Sequence, residues 1–278
     1  MNFNDYKYER IDIDAVKKQF EELIESFSKA DSAEKQCKIM DEVINLRNHI
    51  DTMITLVSIR HSINTADDFY DKENDYCDEI SPLLYGFTTD FYEALVTSKF
   101  RKELEDKYGK FLFDQAECSL KTFNEEVIPQ LQEENKLSSK YDKLIASAKI
   151  PFDGEERTLS QMAPYTQSKD RNVRKDATKK VAEFFSAHKN DFDDIYDKLV
   201  KVRTEIAHKL GFKNYVELAY ARLRRLDYNA QDVAGYRKQV LENIVPLHSE
   251  LRERQAKRLG IDKLKFYDEP IKFNSGNA

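Results

Sequence analysis

Apolar residues recur at helical spacing along most of this chain. Val16, Phe20, Leu23, Ile24 and Phe27 fall at i, i+4, i+7, i+8 and i+11, one stripe on a helix that begins near Asp12. Ser32 is placed to cap a second helix, whose stripe runs through Met40, Val43, Leu46, Ile50 and Val57 to about Ile63. A third follows Thr65 and carries Phe69, Tyr76, Ile80, Leu84, Phe87, Phe91 and Leu95, with Pro82 expected to kink it. These three read as an antiparallel helical layer.

Shorter helices are expected over 99–108, closed by Gly109, then over 111–123 and 125–147, where Pro129 is tolerated in a first turn. The segment 149–159 breaks the pattern. Asp153-Gly154 stands between short runs with apolar residues and predicts one small β-hairpin, with Pro151 confining a strand to an edge. Helices resume near Asp170 and run toward Gly211, with Val173, Ala177, Val181 and Phe184 on one stripe and Phe192, Ile195, Leu199, Val202 and Ile206 on the next. Asn214 caps a short helix through Arg224. A last helix spans 229–259, kinked at Pro246 and closed by Gly260. Beyond it the sequence is irregular and reads as an interrupted connection. No repeat of 34 or 40 residues appears.

Composition supports long helices. The 278 residues include 7 Gly and 6 Pro, where average usage gives about 19 and 14. The residues that break helices are scarce, so the fold class is all-α with one hairpin. The formal charge of −6 is spread along the chain and argues against a nucleic-acid surface. Met1–Tyr6 has neither a basic nor an apolar region of a signal peptide, and no stretch nears the roughly 20 apolar residues of a membrane span. Cys37, Cys77 and Cys118 are isolated and odd in number, which suits buried free thiols in a reducing cytoplasm rather than disulfides or a metal knuckle.

The chemistry-bearing residues do not assemble into a site by spacing. Of His49, His61, His188, His208 and His248, no two stand four apart, so the H-E-x-x-H pattern that grips zinc on one helix face is absent. Glu205 and His208 form one Glu-x-x-His pair, whereas a two-metal carboxylate bundle holding iron or manganese needs two pairs and further glutamates. Asp191, Asp193, Asp194 and Asp197 lack the glycine and closing glutamate of a calcium loop and read as a solvated helix face. Arg222, Arg224 and Arg225, beside Asp227 and Tyr228, suit a helix C-terminus; the same guanidinium forks also suit a peptide carboxylate or backbone. Arg225 and Tyr228 are the candidate substrate-binding residues. No residue is assigned a catalytic or metal-binding role.

Several ordered blocks carry a resemblance. Leu210-Gly211-Phe212-Lys213-Asn214-Tyr215-Val216-Glu217-Leu218-Ala219-Tyr220, then Arg225-Leu226-Asp227-Tyr228, closely resemble a segment of oligopeptidase F-type metallopeptidases of the thimet/oligopeptidase F superfamily. So do Val245-Pro246-Leu247-His248, Arg258-Leu259-Gly260-Ile261-Asp262 and Tyr267-Asp268. Upstream, Phe152-Asp153-Gly154-Glu155, Thr158-Leu159 and Asp170-Arg171-Asn172-Val173-Arg174-Lys175-Asp176-Ala177 match in the same order. The first 110 residues match only in helical character and length.

The resemblance implies two helical halves flanking a deep channel with zinc at its base, which cuts short peptides and excludes folded proteins. The family's H-E-x-x-H helix and further Glu ligand lie downstream of everything matched, so the chain is expected to cover the N-terminal half and to stop before the zinc helix. Zinc belongs to the complete family enzyme, and none is expected on this chain. On this reading 1–110 is an N-terminal helical layer, 111–195 the family's N-terminal subdomain, and 196–278 the start of an incomplete catalytic domain. The expected partners are short peptides and the missing C-terminal half, without nucleic acid or membrane, in the cytoplasm. The chain alone is expected to be inactive. The alternative is a non-catalytic helical module that keeps the scaffold to bind peptides or other proteins.

Overall fold

The structure is a computed structural model that describes residues 3–276. It is helical apart from one hairpin, and helix starts follow the capping chemistry of the sequence. A 3-10 turn (Phe3–Asp5) precedes α1 (Ile13–Lys29), α2 (Ala33–Ile63) and α3 (Asp68–Val96). Asp12, Ser32 and Asp67 cap these three, each side-chain oxygen accepting from backbone N–H groups of the first turn. Then come α4 (Arg101–Tyr108), α5 (Lys110–Leu120), a 3-10 turn (Glu125–Val127) and α6 (Ile128–Ala146). Gly109 between α4 and α5 has φ +86°, a conformation open to glycine.

The hairpin pairs β1 (Ile150–Phe152) with β2 (Glu155–Arg157), in the register Ile150 with Arg157 and Phe152 with Glu155. Asp153 and Gly154 have φ +53° and +78°, as a two-residue turn with left-handed residues requires. Next is α7 (Leu159–Thr166), a helix absent from the sequence expectation. Its signal is the Thr158 and Gln161 capping box, in which each side chain accepts from the other's backbone N–H. The remaining helices are α8 (Arg171–Ala187), α9 (Lys189–Lys209), α10 (Tyr215–Arg222), α11 (Ala230–Gln239) and α12 (Val245–Leu259).

Pro246 acts differently from a simple kink. It lacks the N–H that would bond back to Glu242, and the preceding residues Val240–Ile244 form a π turn in which Val245 N–H reaches the Val240 carbonyl. The segment after Gly260, expected as an irregular connection, contains a 3-10 turn (Phe266–Asp268) held by buried hydrogen bonds.

The chain divides into two compact units, Met1–Lys140 with Asp197–Asp227, and Tyr141–Tyr196 with Tyr228–Ala278. The main core of the first joins α1 to α5 through residues such as Phe20, Phe27, Val43, Leu56, Leu95 and Phe113. A second cluster joins Phe123, Val127, Leu137, Ile206 and Leu218. Gly86 sits mid-helix in α3 because a Cβ there would stand 3.0 Å from the Phe123 ring. The second unit packs Ile150, Met162 and Ala177 with Leu159, Tyr165, Val181 and Phe184.

Candidate functional site

Three buried carboxylates organise the polar interior. In the first unit, Glu134 of α6 accepts from the Arg203 Nε at 2.7 Å and stands in an ion pair 2.9 Å from the Arg222 Nη1, without hydrogen-bond geometry, and its side chain is 6% exposed. Two guanidinium groups thus share one carboxylate and tie α9 and α10 to α6. Also in that unit, Glu73 of α3 accepts from the Tyr8 hydroxyl and, at 3.0 Å, from Arg10, strapping the chain before α1 onto α3. Burial and the Glu73 carboxylate push the Tyr8 phenol well up. Burial, followed by Glu73 and Asp78, also pushes the Cys77 thiol up to about 11, which keeps it protonated and unreactive at neutral pH.

In the second unit, Asp268 is fully buried and accepts from Arg171 through both oxygens at 2.9 Å and from Arg174 Nη2 at 3.0 Å. Burial alone would raise this carboxyl. The hydrogen bonds from Arg171, the Lys265 backbone N–H and Arg174 outweigh it and hold the group at about 2. Gln255 of α12 adds hydrogen bonds to the carbonyls of Asp268, Glu269 and Ile271. All three hubs fix chain segments in place.

The residues singled out by sequence are dispersed. Glu205 accepts from Gln130 at 2.7 Å and lies 3.6 Å from Lys209, so its partners are structural ones. His61 is buried 3.2 Å from Asp71, and His188 lies 3.1 Å from Asp191. Asp193 and Asp197 pair with Lys189 and Lys201 along α9, as a solvated face does. Cys37, Cys77 and Cys118 are free and buried. Arg222 is committed to Glu134. Arg225, in the first unit, stacks 4.7 Å from the centroid of the Tyr220 ring; Tyr228, in the second, is 46% exposed.

The first unit also holds a partly open cavity of about 200 Å3 between one face of α2 (Arg47, Ile50, Asp51, Ile54) and one face of α3 (Ser81, Leu84, Tyr85, Thr88, Tyr92), lined as well by Phe20 of α1 and by Arg224. The α2 set runs at i, i+3, i+4 and i+7, and the α3 set at i, i+3, i+4, i+7 and i+11, the spacing of a single helix face. Arg47 donates to the Tyr92 hydroxyl at 3.1 Å. Arg224 follows the end of α10 with φ +53°.

Among the described residues, no group of three or more His, Cys, Asp or Glu stands together so as to hold a metal ion. The residues present do not fit a zinc site, and no catalytic step is assigned to one here. No helix among the described residues is long and apolar enough to cross a membrane.

Residues 3–123 match the peptidase M3 N-terminal domain, and residues 164–271 match peptidase family M3. No curated protein matches the chain. Among solved structures, a Bacillus anthracis protein assigned as oligoendopeptidase F is 51% identical with a TM-score of 0.96, covering 100% of this chain and 51% of that one. Pz peptidase A, solved with an inhibitor, is 52% identical with a TM-score of 0.97, covering 99% and 49%. Oligoendopeptidase F from Enterococcus faecium is 15% identical with a TM-score of 0.65 over 92% of this chain and 55% of its own, a likeness of fold alone. The chain thus spans about half the length of the solved proteins it resembles.

Proposed function

The chain belongs to peptidase family M3, and on that premise we propose that it forms the N-terminal helical scaffold of a zinc oligoendopeptidase and one wall of a channel for short peptides. In this role it works with a catalytic portion bearing the zinc helix. The observation that carries the reading is the superposition of the whole chain on oligoendopeptidase F at half-length coverage, together with a surface that suits a missing neighbour. Tyr236, Leu241, Ile244, Leu247 and Leu251, on the helical rod from α11 to α12, are each between 49% and 68% exposed. Exposed apolar runs of this kind mark contact surfaces. The remaining portion of an M3 fold is the occupant that the half-length match supplies.

The scaffold role requires that peptide cleavage depend on that portion. Purified alone with added zinc and offered a quenched fluorescent oligopeptide, the chain shows no turnover above buffer. Joined to the catalytic portion of an M3 relative, in one chain or in trans, it supports zinc-dependent cleavage. Turnover by the chain alone overturns the proposal.

A further inference from the structure

Three helices in this protein end in the same hydrogen-bond pattern, and one of them ends in the wrong residue. After α9, Gly211 N–H bonds the His208 carbonyl and Phe212 N–H bonds Ala207; after α12, Gly260 bonds Lys257 and Ile261 bonds Ala256. After α10, Arg224 bonds Ala221 and Arg225 bonds Tyr220. Each pattern places its middle residue in the left-handed region, at φ +80° for Gly211, +67° for Gly260 and +53° for Arg224. Glycine takes that conformation freely, and a side-chain-bearing residue is strained in it. An arginine in this position is explained by what its side chain does, because nothing in the turn asks for it.

Arg224 lines the cavity between α2 and α3. Among the described residues, no hydrogen bond or ion pair engages the exposed Arg224 guanidinium or the exposed Asp51 carboxylate, which lines the same cavity. Arg47 uses one of its five donors on Tyr92, leaving the rest of its fork available. Thr88 adds a hydroxyl that has no hydrogen-bond partner among the described residues. Between these polar groups lie Phe20, Ile50, Ile54 and Leu84. The volume of about 200 Å3 is close to the roughly 150 Å3 of a cavity that holds benzene. That is room for one small molecule and too little for an oligopeptide.

We propose that this cavity binds a free amino acid with an apolar side chain, its carboxylate received by Arg224 and Arg47, its ammonium by Asp51, and its side chain by the aliphatic and aromatic walls. Guanidinium forks match a carboxylate in geometry as well as charge. The site lies wholly within the first unit and needs no zinc, so it stands independently of the peptidase reading.

The test is calorimetric titration of the purified chain with L-leucine, L-leucinamide and N-acetyl-L-leucine. Leucine is expected to bind saturably, while the amide, which lacks the carboxylate, and the acetyl compound, which lacks the ammonium, bind at least about tenfold more weakly. Arg224→Gly removes the guanidinium and relaxes the turn, so this variant is expected to melt no lower than the parent while losing at least about tenfold in leucine affinity. Failure of leucine to saturate at tens of millimolar, equal binding of leucine and its amide, or unchanged affinity in R224G each overturns the proposal. The ligand comparison on the unaltered chain holds whatever the variant does to folding.

Discussion

Helices α2 and α3 and the rod from Ala230 to Leu259 are similar in length and opposite in burial. α2 buries Met40, Val43, Ile50, Met53, Leu56 and Val57 among others, and α3 buries Ile80, Leu84, Phe91 and Leu95. Along α11, the π turn and α12, only Gln255 is buried. The rod does not lack apolar residues; Leu241, Ile244, Val245, Leu247 and Leu251 simply face solvent. Helices in proteins owe most of their stability to packing of an apolar face. The first pair is thus packed on its own apolar face, and on the proposed reading the second region packs against the catalytic portion.

The contrast breaks most visibly in the core. Phe27→Ala, at a fully buried side chain packed against Phe91, is expected to cost about 3–5 kcal/mol in urea unfolding. A comparable loss from Leu247→Ala would show that the rod is packed after all. Next in size is Glu134→Ala, which strands Arg203 and Arg222 around a vacated carboxylate and should cost about 3 kcal/mol.

Asp268→Asn should cost about 2 kcal/mol at neutral pH and tests how the rod's C-terminal end is anchored. The Asp268 carboxyl is held at about 2 against an ordinary 3.8. Between those values the unfolded chain binds more protons than the folded one. The contribution is therefore complete above about pH 4 and lost as pH falls toward 2. Urea midpoints followed from pH 5 to 2 should drop more steeply in the parent than in D268N. The smallest effect on stability is expected from Leu241→Ser with Leu247→Ser, within about 0.5 kcal/mol of the parent. The same pair should weaken association with an M3 catalytic portion, measured by sedimentation or calorimetry.

How far the sequence could be read follows the range of the interactions. α1, α2 and α3 were legible because their stripes and the caps at Asp12 and Ser32 are local, as was the hairpin, through Asp153-Gly154. α7 escaped because it is short and contains Pro164, although Thr158 and Gln161 announce it. The hubs escaped for another reason. Glu134 meets Arg203 and Arg222 from distant parts of the chain, and Asp268 meets Arg171 and Arg174 likewise. Nothing in residue spacing links such partners. Arg222, Arg224 and Arg225 stood out as a cluster, yet the fold gives them three roles: an ion pair with Glu134, the lining of a cavity, and stacking on Tyr220. Only the backbone dihedral of Arg224 separates it from its neighbours, and no sequence pattern displays that.

Amide hydrogen exchange, with and without the catalytic portion of an M3 relative added in trans, tests the scaffold account most directly. Alone, α2 and α3 should be protected to the level of global unfolding while residues 236–251 exchange by local opening. On addition of the catalytic portion, protection should rise in 236–251 and stay unchanged in α2 and α3. Full protection of 236–251 in the isolated chain, or cleavage activity gained with no change there, would contradict it.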